Sequence, residues 1–416
     1  MLERACDNRP MDLSPWEKKT VTLEWAGLKL PFRVAQELFS SHEIDQGTKL
    51  LLRSLDLAAL PADSVVLDFG CGYGPLGLAV KARTPTAKVV LIDRDALAVA
   101  FAALNARELR LPDVEAHGGL DFGNAHAPDG YDLILWNVPG KAGEPVLRGL
   151  IDDIPRALRP GGLLALVVVI PLANALMDAL SMHSALTLIA NERHTAHTVL
   201  HARRTADGAN ARPLPDTFER GLFDRPVEQL VWNGVPYTLR PVIGLPEYDG
   251  PNFVSAIQME MIDAFAVDRP IVRLVLDGVG QGHGSIRAAH RLAPESIRLV
   301  DRDLLALLTT ARNLAANGVP VEHIQLNHVP LLDAPRNGLS HADLIVTRLD
   351  SQLSLERLAV QHSRLRGALR QGGSAIVAGP STSVSRLLRV VAKERDFKPR
   401  SRTRRSGASA ASMTMR

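Results

Sequence analysis

The sequence predicts an α/β protein made of two tandem, doubly wound domains, each preceded by a β-hairpin. Three observations support this fold class: the chain length, an internal repeat, and short apolar runs that alternate with helical segments. A chain of 416 residues is too long for a single ordinary hydrophobic core and suits two domains of about 200 residues each. Asp93 recurs as Asp301, and Asn105 recurs as Asn313, each 208 residues later. A shared offset in separate motifs indicates a duplication.

Bulk composition excludes several classes of protein. With 46% hydrophobic and 22% charged residues, the chain is typical of globular domains, and its net charge of +3 neither requires nor excludes a nucleic-acid partner. Only two cysteines, Cys6 and Cys71, are present, which excludes a disulfide framework and indicates a reducing compartment. Residues 1–10 lack the apolar core of a secretory signal, and no apolar stretch reaches the ~20 residues of a membrane helix. We therefore expect a cytoplasmic protein without a membrane partner, and leave the oligomeric state open.

Each copy is predicted to begin with a hairpin, which turns at Ala26-Gly27 in the first copy and at Asn233-Gly234 in the second. Asn-Gly between apolar runs favours a tight turn because both residues tolerate positive φ. After each hairpin, buried parallel strands are predicted where the sequence is continuously apolar. These runs are residues 64–67, 89–92, 132–136 and 163–170 in the first copy, and 272–276, 297–300, 343–346 and 374–377 in the second. The predicted domains are residues 1–204 and 226–416, joined by a linker at 205–225.

A glycine-rich loop is the first motif that indicates a ligand. A predicted strand ends at Asp68 and is followed by Gly70, Gly72, Gly74 and Gly77 before a helical run. Such glycines let the backbone turn tightly, and the helix that follows presents free N–H groups to an anion. On this loop alone, a nicotinamide dinucleotide and S-adenosylmethionine remain equally open, and Asp93 at the end of the next strand suits the ribose of either.

Asn137 distinguishes between these two cofactors. It stands at the predicted carboxyl end of the fourth strand, in the sequence Asn137-Val138-Pro139. Open α/β sheets bind their ligands at that edge. Together, residues 39–48, the Asp68–Gly74 loop, Asp93, Asn105 and the Asn-x-Pro element resemble class I S-adenosylmethionine-dependent methyltransferases. More narrowly, they resemble the bacterial ribosomal RNA guanine-N2 methyltransferases of the small and large subunits, which carry a second, degenerate methyltransferase domain.

The resemblance implies a fold, an activity and a set of site residues. The fold is a pair of Rossmann-like methyltransferase domains with seven-stranded, mostly parallel sheets. The activity is transfer of a methyl group from S-adenosylmethionine to an exocyclic amine, guanine N2 of ribosomal RNA, as part of rRNA processing. The implied cofactor-binding residues are Asp68, Gly70, Cys71, Gly72, Gly74, Asp93, Arg94, Asp121 and Asn137. The implied catalytic residues are Asn137, Val138 and Pro139, and no metal is expected.

In this scheme two acceptors, the Asn137 side chain and the Val138 carbonyl, face the hydrogens of the target amine. They favour a pyramidal nitrogen aimed at the methyl group, so that positioning and electrostatics replace a strong general base. The family's motif continues Pro-Pro-aromatic, and the ring stacks on the flipped base. Here Gly140 and Lys141 follow Pro139, so that ring is absent from its expected place. The family also usually places its intact domain second, whereas here it is first.

These departures keep two alternatives open. One is a methyltransferase that acts on a small metabolite or natural product, with the same cofactor. The other is a non-enzymatic RNA-binding or assembly protein built on two retired domains. His194, His197 and His201 have a spacing that could suit a metal on a helix, but the repeat places them on a late strand, so we expect a hairpin instead.

The second copy is predicted to be non-catalytic. One extra residue separates Asp277 from Gly280, the first of the glycines at 280, 282 and 284, which predicts a displaced loop. Where the first copy has Asn-Val-Pro, the second has Arg348-Leu349-Asp350. Finally, residues 398–405 form the densest basic run in the chain, and the sequence leaves RNA contact and a solvated loop equally open.

Overall fold

The computed structural model describes residues 12–123, 126–205, 216–332, 341–349 and 353–416. They form two compact units, an N-terminal unit that ends at Phe223 and a C-terminal unit that begins at Asp224. Each unit contains one seven-stranded, mostly parallel sheet with flanking helices and one separate two-stranded hairpin, which confirms the predicted fold class. Among the described residues, no helix is both long enough and apolar enough to cross a bilayer.

The N-terminal unit follows the predicted alternation of strands and helices. Its sheet has the order β5-β4-β3-β6-β7-β9-β8, in which β3 to β7 run parallel and β9 is antiparallel to both of its neighbours, β7 and β8. Its strands are β1 (Glu17–Trp25), β2 (Leu28–Ala35), β3 (Val65–Phe69), β4 (Lys88–Asp93), β5 (Val114–Gly118), β6 (Tyr131–Asn137), β7 (Leu158–Val169), β8 (Leu186–Arg193) and β9 (His197–Arg204). Its helices are α1 (Gln46–Arg53), α2 (Pro75–Arg83), α3 (Ala96–Glu108), α4 (Glu144–Ile151), α5 (Ile154–Ala157) and α6 (Ile170–Ser181).

The C-terminal unit repeats this plan strand for strand, in the order β14-β13-β12-β15-β16-β18-β17. Its strands are β10 (Glu228–Trp232), β11 (Val235–Leu239), β12 (Arg273–Asp277), β13 (Ser296–Asp301), β14 (Ile324–His328), β15 (Ala342–Arg348), β16 (Leu369–Pro380), β17 (Phe397–Arg405) and β18 (Ala408–Met415). Its helices are α7 (Phe253–Ala264), α8 (His283–Leu292), α9 (Leu304–Ala316), α10 (Leu355–Ala368) and α11 (Ser381–Glu394).

The central strands form because their residues are apolar on both faces. Every residue of β3 from Val66 onward is buried, and so are the four residues of β4 from Val89 to Ile92. Such strands suit a sheet covered by helices on both sides. The hairpin of the N-terminal unit turns at Ala26 and Gly27, both at positive φ (49° and 79°), as its sequence predicts.

The repeated asparagine has the same structural task in both units. The Asn105 side chain accepts from Arg33 N (2.8 Å) and donates to the carbonyls of Arg33 (3.0 Å) and Tyr73 (2.9 Å). It thereby ties the hairpin strand β2 to the glycine loop. Asn313 makes the corresponding bonds to Arg240 and Gln281. Both side chains are fully buried, so losing either one leaves several backbone groups without partners.

The predicted domain limits, 1–204 and 226–416 around a linker at 205–225, stay a prediction. Residues 206–215 of that linker lie outside the described residues. Residues 216–223, at its other end, belong to the N-terminal unit, where Phe223 is buried.

Candidate functional site

A cavity of about 710 Å³ lies at the carboxyl edge of the N-terminal sheet. It is bordered by the loop after β3, by the ends of β4 and β6, and by the segment before α1. Eight of the predicted site residues line it: Gly70, Cys71, Gly72, Asp93, Arg94, Asn137, Val138 and Pro139. The loop, the acid and the asparagine, which are distant in sequence, therefore meet at one site.

Three predicted site residues lie beside this cavity without lining it. Gly74 is the N-cap of α2 and adopts a left-handed φ of 90°, without a side chain to cap the helix. Asp121 accepts a hydrogen bond from Gly123 N (2.9 Å) within its own turn, next to the lining residues Gly119 and Leu120. Asp68 lies under the glycine loop. The role predicted for each toward a cofactor stays a prediction.

The Asp68 carboxyl holds the start of α2 against the sheet. Its Oδ2 accepts from Gly77 N at 2.8 Å, and a Cβ at Gly77 would stand 2.9 Å from Asp68 Cβ and 2.5 Å from Leu91 Cδ2. Only glycine permits this approach of helix to strand. Asp68 Oδ1 is buried and has no hydrogen-bond partner among the described residues. Burial raises the pKa of Asp68 to about 7, against the opposing effect of the Gly77 bond.

Asp93 organises the glycine loop from the neighbouring strand. Its Oδ2 accepts from Gly72 N (2.9 Å), and its Oδ1 accepts from Asp95 N (2.9 Å). Asp95 in turn caps α3 by accepting from Leu97 N. Burial raises the pKa of Asp93 to about 6. Burial also raises the pKa of the Cys71 thiol well above its usual range, so this cysteine is a small, inert wall of the cavity.

The side chain of Asn137 is oriented by the segment that begins α1. Asn137 Nδ2 donates to Asp45 Oδ2 (2.9 Å) and to Thr48 Oγ1 (3.3 Å). Asp45 also caps α1 by accepting from Thr48 N. A Cβ at Gly47 would lie 2.8 Å from Asp45 Oδ2, so glycine is required for this contact. With Nδ2 committed to a carboxylate, Oδ1 is the group of Asn137 that remains for accepting a hydrogen bond.

This arrangement explains the Asp-x-Gly-Thr sequence at residues 45–48 and adds two functional residues that sequence reasoning missed. Asp45 and Thr48 both line the cavity, and their hydrogen bonds fix the orientation of the Asn137 side chain. In the sequence, these two residues are indicated only as part of the motif at residues 39–48 that the family shares. Asp45 and Asn137 are 92 residues apart, so no local sequence pattern predicts their contact.

Aromatic side chains form much of the remaining wall. Phe69 packs against Trp136 with ring centroids 5.7 Å apart, and Tyr73 and Phe223 also border the cavity. Phe39 lines the cavity and keeps 71% of its surface exposed. No ring follows Pro139, as predicted, and Gly140 and Lys141 line the cavity there instead. Apolar walls of this kind exclude water and strengthen the polar contacts inside.

The glycine loop of the C-terminal unit has the same backbone as that of the N-terminal unit. Its glycines at 278, 280 and 282 have φ of 73°, 56° and 99°, and those at 70, 72 and 74 have 70°, 55° and 90°. The predicted displacement of this loop is therefore wrong. Asp277 pairs with Val300 as Phe69 pairs with Ile92, so Leu276, not Asp277, stands at the position of Asp68.

A one-residue difference along a strand places a side chain on the opposite face of the sheet. Asp277 therefore faces Thr347 and accepts a hydrogen bond from its hydroxyl at 2.6 Å. The equivalent pair in the N-terminal unit is Phe69 and Trp136, whose rings pack against each other. The buried acid that contacts the helix start in the first unit has no counterpart in the second.

Arg348 closes the cleft of the C-terminal unit. It ends β15 as Asn137 ends β6, and it donates to Ser255 Oγ and to Glu247 Oε1, each at 3.0 Å. Ser255 is the third residue of α7, as Thr48 is the third residue of α1. The space left at this edge is about 10 Å³, against about 710 Å³ in the first unit. Asp350, the last residue of the sequence that replaces Asn-Val-Pro, lies outside the described residues.

Two groups of histidines have a spacing or a proximity that could suit a metal ion. His194 and His197 border the β8–β9 turn, and His201 on β9 bonds Ser54 Oγ at 2.9 Å, so the hairpin expectation is confirmed. Of these three, only His197 lines the cavity. Glu115, His117 and His126 place possible metal ligands within 4.8 Å of one another at the edge strand β5. The two rings stack at 3.8 Å, and none of the three residues lines the cavity.

Comparison with known proteins agrees with this geometry. Residues 29–200 match the family model for the methyltransferase small domain. Ribosomal RNA small subunit methyltransferase C of Pseudomonas putida (strain W619) is 39% identical over 135 residues, which is 31% of this chain and 39% of the relative. Ribosomal RNA large subunit methyltransferase G of Shewanella sp. (strain ANA-3) is 31% identical over 155 residues, 36% of this chain and 40% of the relative. The matches therefore span about two fifths of these relatives.

A solved structure shares the whole tandem architecture. It is described as the T. thermophilus 16S rRNA N2 G1207 methyltransferase (RsmC) in complex with AdoMet and guanosine. The likeness covers 96% of this chain and 98% of that one, with a TM-score of 0.65 and 17% sequence identity, which establishes a common fold. The family model therefore matches most of the N-terminal unit, and the whole chain shares the tandem two-domain fold of this solved structure.

Proposed function

We propose that this protein transfers a methyl group from S-adenosylmethionine to guanine N2 in ribosomal RNA. The observation that carries the proposal is the orientation of Asn137. Its amide nitrogen is held by Asp45, which leaves its oxygen as an acceptor at the edge of the cavity. The relatives that share the N-terminal unit are named as ribosomal RNA methyltransferases, which favours this substrate.

The cavity residues fit S-adenosylmethionine in three ways. Asp68 has a buried oxygen without a partner beneath the loop, where an ammonium or a bridging water would satisfy it. The left-handed backbone of the glycine loop lets a ligand approach closely. Asp93 lines the cavity with a carboxylate able to accept ribose hydroxyls. When bound, the cofactor supplies an electrophilic methyl group on a sulfonium.

The protein residues act mainly by positioning the acceptor. The Val138 N–H donates to the Val167 carbonyl (2.9 Å), which extends β6 and fixes the segment after Asn137. We place the hydrogens of the target amine against Asn137 Oδ1 and the Val138 carbonyl, and the amine lone pair toward the methyl group. Preorganised acceptors of this kind stabilise developing positive charge without a general base.

The direct test combines labelled S-adenosylmethionine with unmodified ribosomal RNA, transcribed from the small-subunit and large-subunit sequences and offered naked and as assembled subunits. We expect label in one RNA, recovered as N2-methylguanosine after digestion to nucleosides. Asn137→Ala serves as the inactive control. Label in another nucleoside would reject the Asn137–amine assignment, and label in no RNA would reject the substrate.

A second candidate, a small-molecule substrate, is favoured by one observation. The cavity walls are largely apolar, and the ring that would stack on a flipped base is replaced by Gly140. The same assay with a metabolite extract separates the two candidates, since transfer to the extract but not to RNA supports the second. Failure to bind S-adenosylmethionine at millimolar concentration would reject both and favour a non-enzymatic role.

A further inference from the structure

A strongly basic surface covers one helix and one edge strand of the C-terminal unit. We call it the α11–β17 surface. Its members are exposed arginines and lysines from α11 and β17: Arg386, Arg389, Lys393, Lys398, Arg400, Arg402 and Arg404. The helical members lie three and four residues apart, on one face of α11. Arg402 donates to Ser385 Oγ of α11 at 2.6 Å, so the strand and the helix contribute to one continuous surface.

The charges of this surface are not neutralised within the protein. Among the described residues, none of its seven members forms an ion pair with a carboxylate. Three donate to neutral oxygens instead: Arg386 to the Leu353 carbonyl, Arg400 to Thr414 Oγ1, and Arg402 to Ser385. Arg405, by contrast, pairs with Glu260 and is not counted in the surface. The surface therefore presents its positive charge to the solvent.

The N-terminal unit has the same topology without this charge. The corresponding elements of the N-terminal unit are the helix α6 and the edge strand β8. Together they carry one basic and two acidic residues, whereas α11 and β17 carry eight basic residues and one acidic. The whole chain has a net charge of +3, so the remainder of the chain is net negative. The excess of positive over negative charge is therefore concentrated on these two elements.

Protection of an edge strand against pairing explains only part of this surface. Lysines and arginines on an exposed edge discourage strand addition, and β17 is the edge strand of its sheet. However, β8 is also an edge strand and folds with a single arginine. In addition, the three basic residues on α11 have no edge to protect. A polyanionic ligand accounts for both elements.

We propose that the α11–β17 surface binds the phosphate backbone of RNA. The β-bulge between Pro399 and Ser401 places Lys398 on the face of β17 opposite Arg402 and Arg404. The basic side chains therefore surround the exposed edge of the sheet over about 20 Å, and Arg402 and Arg404 continue this surface onto α11. Contacts to phosphates provide affinity and register without sequence preference. The C-terminal unit would therefore bind the RNA, while the N-terminal unit performs the reaction. The inference takes its partner class from the proposed function.

The test measures binding of a fluorescein-labelled RNA hairpin with single-stranded tails, over a range of salt concentrations. The surface variant combines Arg389→Gln, Lys398→Gln and Arg404→Gln. The control variant removes the same charge from exposed positions of the N-terminal unit, through Arg83→Gln, Lys88→Gln and Arg107→Gln. We expect the surface variant to bind at least tenfold more weakly, and its slope of log affinity against log salt to fall by about 2, because three phosphate contacts are lost. The control should retain its slope.

Three outcomes would overturn the inference: equal weakening in both variants, no weakening in either, or binding of the same surface to anionic lipid vesicles but not to RNA. Thermal unfolding and S-adenosylmethionine binding of each variant check that the fold is intact. Failure of the proposed function is distinguishable, because RNA binding is read without methyl transfer. A protein that binds RNA through this surface but transfers no methyl group keeps the inference and rejects the activity.

Discussion

The glycine loop of the N-terminal unit borders a cavity of about 710 Å³, whereas the equivalent loop of the C-terminal unit borders about 10 Å³. The two loops have the same left-handed φ angles, and the acids Asp93 and Asp301 hold them through the same kind of backbone bond. The difference lies in the side chain at the end of the central strand, which is Asn137 in one unit and Arg348 in the other. Arg348, paired with the buried Glu247, occupies the space in the C-terminal unit that stays open beside Asn137 in the N-terminal unit, while the φ angles of the loop glycines are the same.

Substitution of Asn137 is the most direct test of this difference between the two units. We expect Asn137→Ala to reduce kcat by roughly 10²–10³ while leaving S-adenosylmethionine affinity within about twofold, because the amine loses an oriented acceptor. Single-turnover methyl transfer and calorimetric cofactor binding measure the two effects.

Arg348→Ala in the C-terminal unit is the matched control for activity and should leave kcat unchanged. Asp45→Ala gives a further check, since it removes the partner that orients Asn137. We expect a smaller loss of kcat there, about tenfold. Full activity in Asn137→Ala would contradict the amine-acceptor mechanism.

The second prediction compares the two strand-end acids. We expect Asp93→Ala to weaken cofactor binding by about tenfold to hundredfold. The substitution removes an acceptor for the ribose hydroxyls and the hydrogen bond that holds the loop at Gly72. Asp301→Ala releases the other loop at Val279 and should only lower the unfolding free energy of the C-terminal unit, by about 1–2 kcal/mol. Equal cofactor affinity in Asp93→Ala and the wild type would contradict the assignment.

The pH dependence of binding tests the same acid. Burial raises the pKa of Asp93 to about 6, and protonation replaces a carboxylate acceptor with a neutral group. The Asp93 contribution to cofactor affinity should therefore fall as the pH drops below 6, after any change that Asp68 contributes around its own pKa of about 7. From pH 7 to pH 5 we expect about a tenfold loss. Asp93→Asn should bind weakly and lose the part of this slope between pH 6 and pH 5, and an unchanged slope in that variant would assign the titration to another group, Asp68 first.

The third prediction concerns the stability of the closed cleft. Glu247 is 4% exposed at its side chain and accepts from Arg348, Asn252 and Ser255. Removing Arg348 leaves this carboxylate buried with two neutral donors. We expect Arg348→Ala to lower the unfolding free energy of the C-terminal unit by about 3 kcal/mol. Arg348→Met, which keeps the volume, separates the packing contribution from the charge. An unchanged unfolding transition in both variants would show that the ion pair is not what closes the cleft.

The sequence predicted the strands, the hairpins and the repeat because those features are local. Residues 89–92 are continuously apolar, and Asn233-Gly234 needs only its own backbone preferences to turn. The displaced loop was mispredicted because the sequence Val-Leu-Asp occurs in both copies, at residues 66–68 and 275–277, one position apart in the strand. Only the pairing of Asp277 with Val300 reveals the slip.

Contacts between distant elements are the other part that the sequence could not supply. Asn137 and Asp45 are 92 residues apart, and Arg348 and Glu247 are 101 apart. Neither pair has a spacing rule, since each depends on how a loop before a helix folds over the sheet edge. The sequence placed Asn137 at that edge correctly, but not the residues that orient it.

The smallest expected effect concerns Gly140, where the RNA methyltransferases that this chain resembles have an aromatic ring. Gly140 does not have a left-handed φ, and a Cβ there would meet only Val169 Cγ2, at an ordinary 3.5 Å. A side chain therefore fits. If RNA is the substrate, Gly140→Phe should lower KM for RNA by about fivefold or more, since stacking of one base contributes roughly 1–3 kcal/mol. Phe39 is exposed at the same cavity, and Phe39→Ala measures whether its ring already serves that purpose. A higher KM in Phe39→Ala, with no gain in Gly140→Phe, would move the stacking surface to Phe39. Loss of activity toward a metabolite in Gly140→Phe, with no effect on RNA, would instead show that the glycine keeps room for a small substrate.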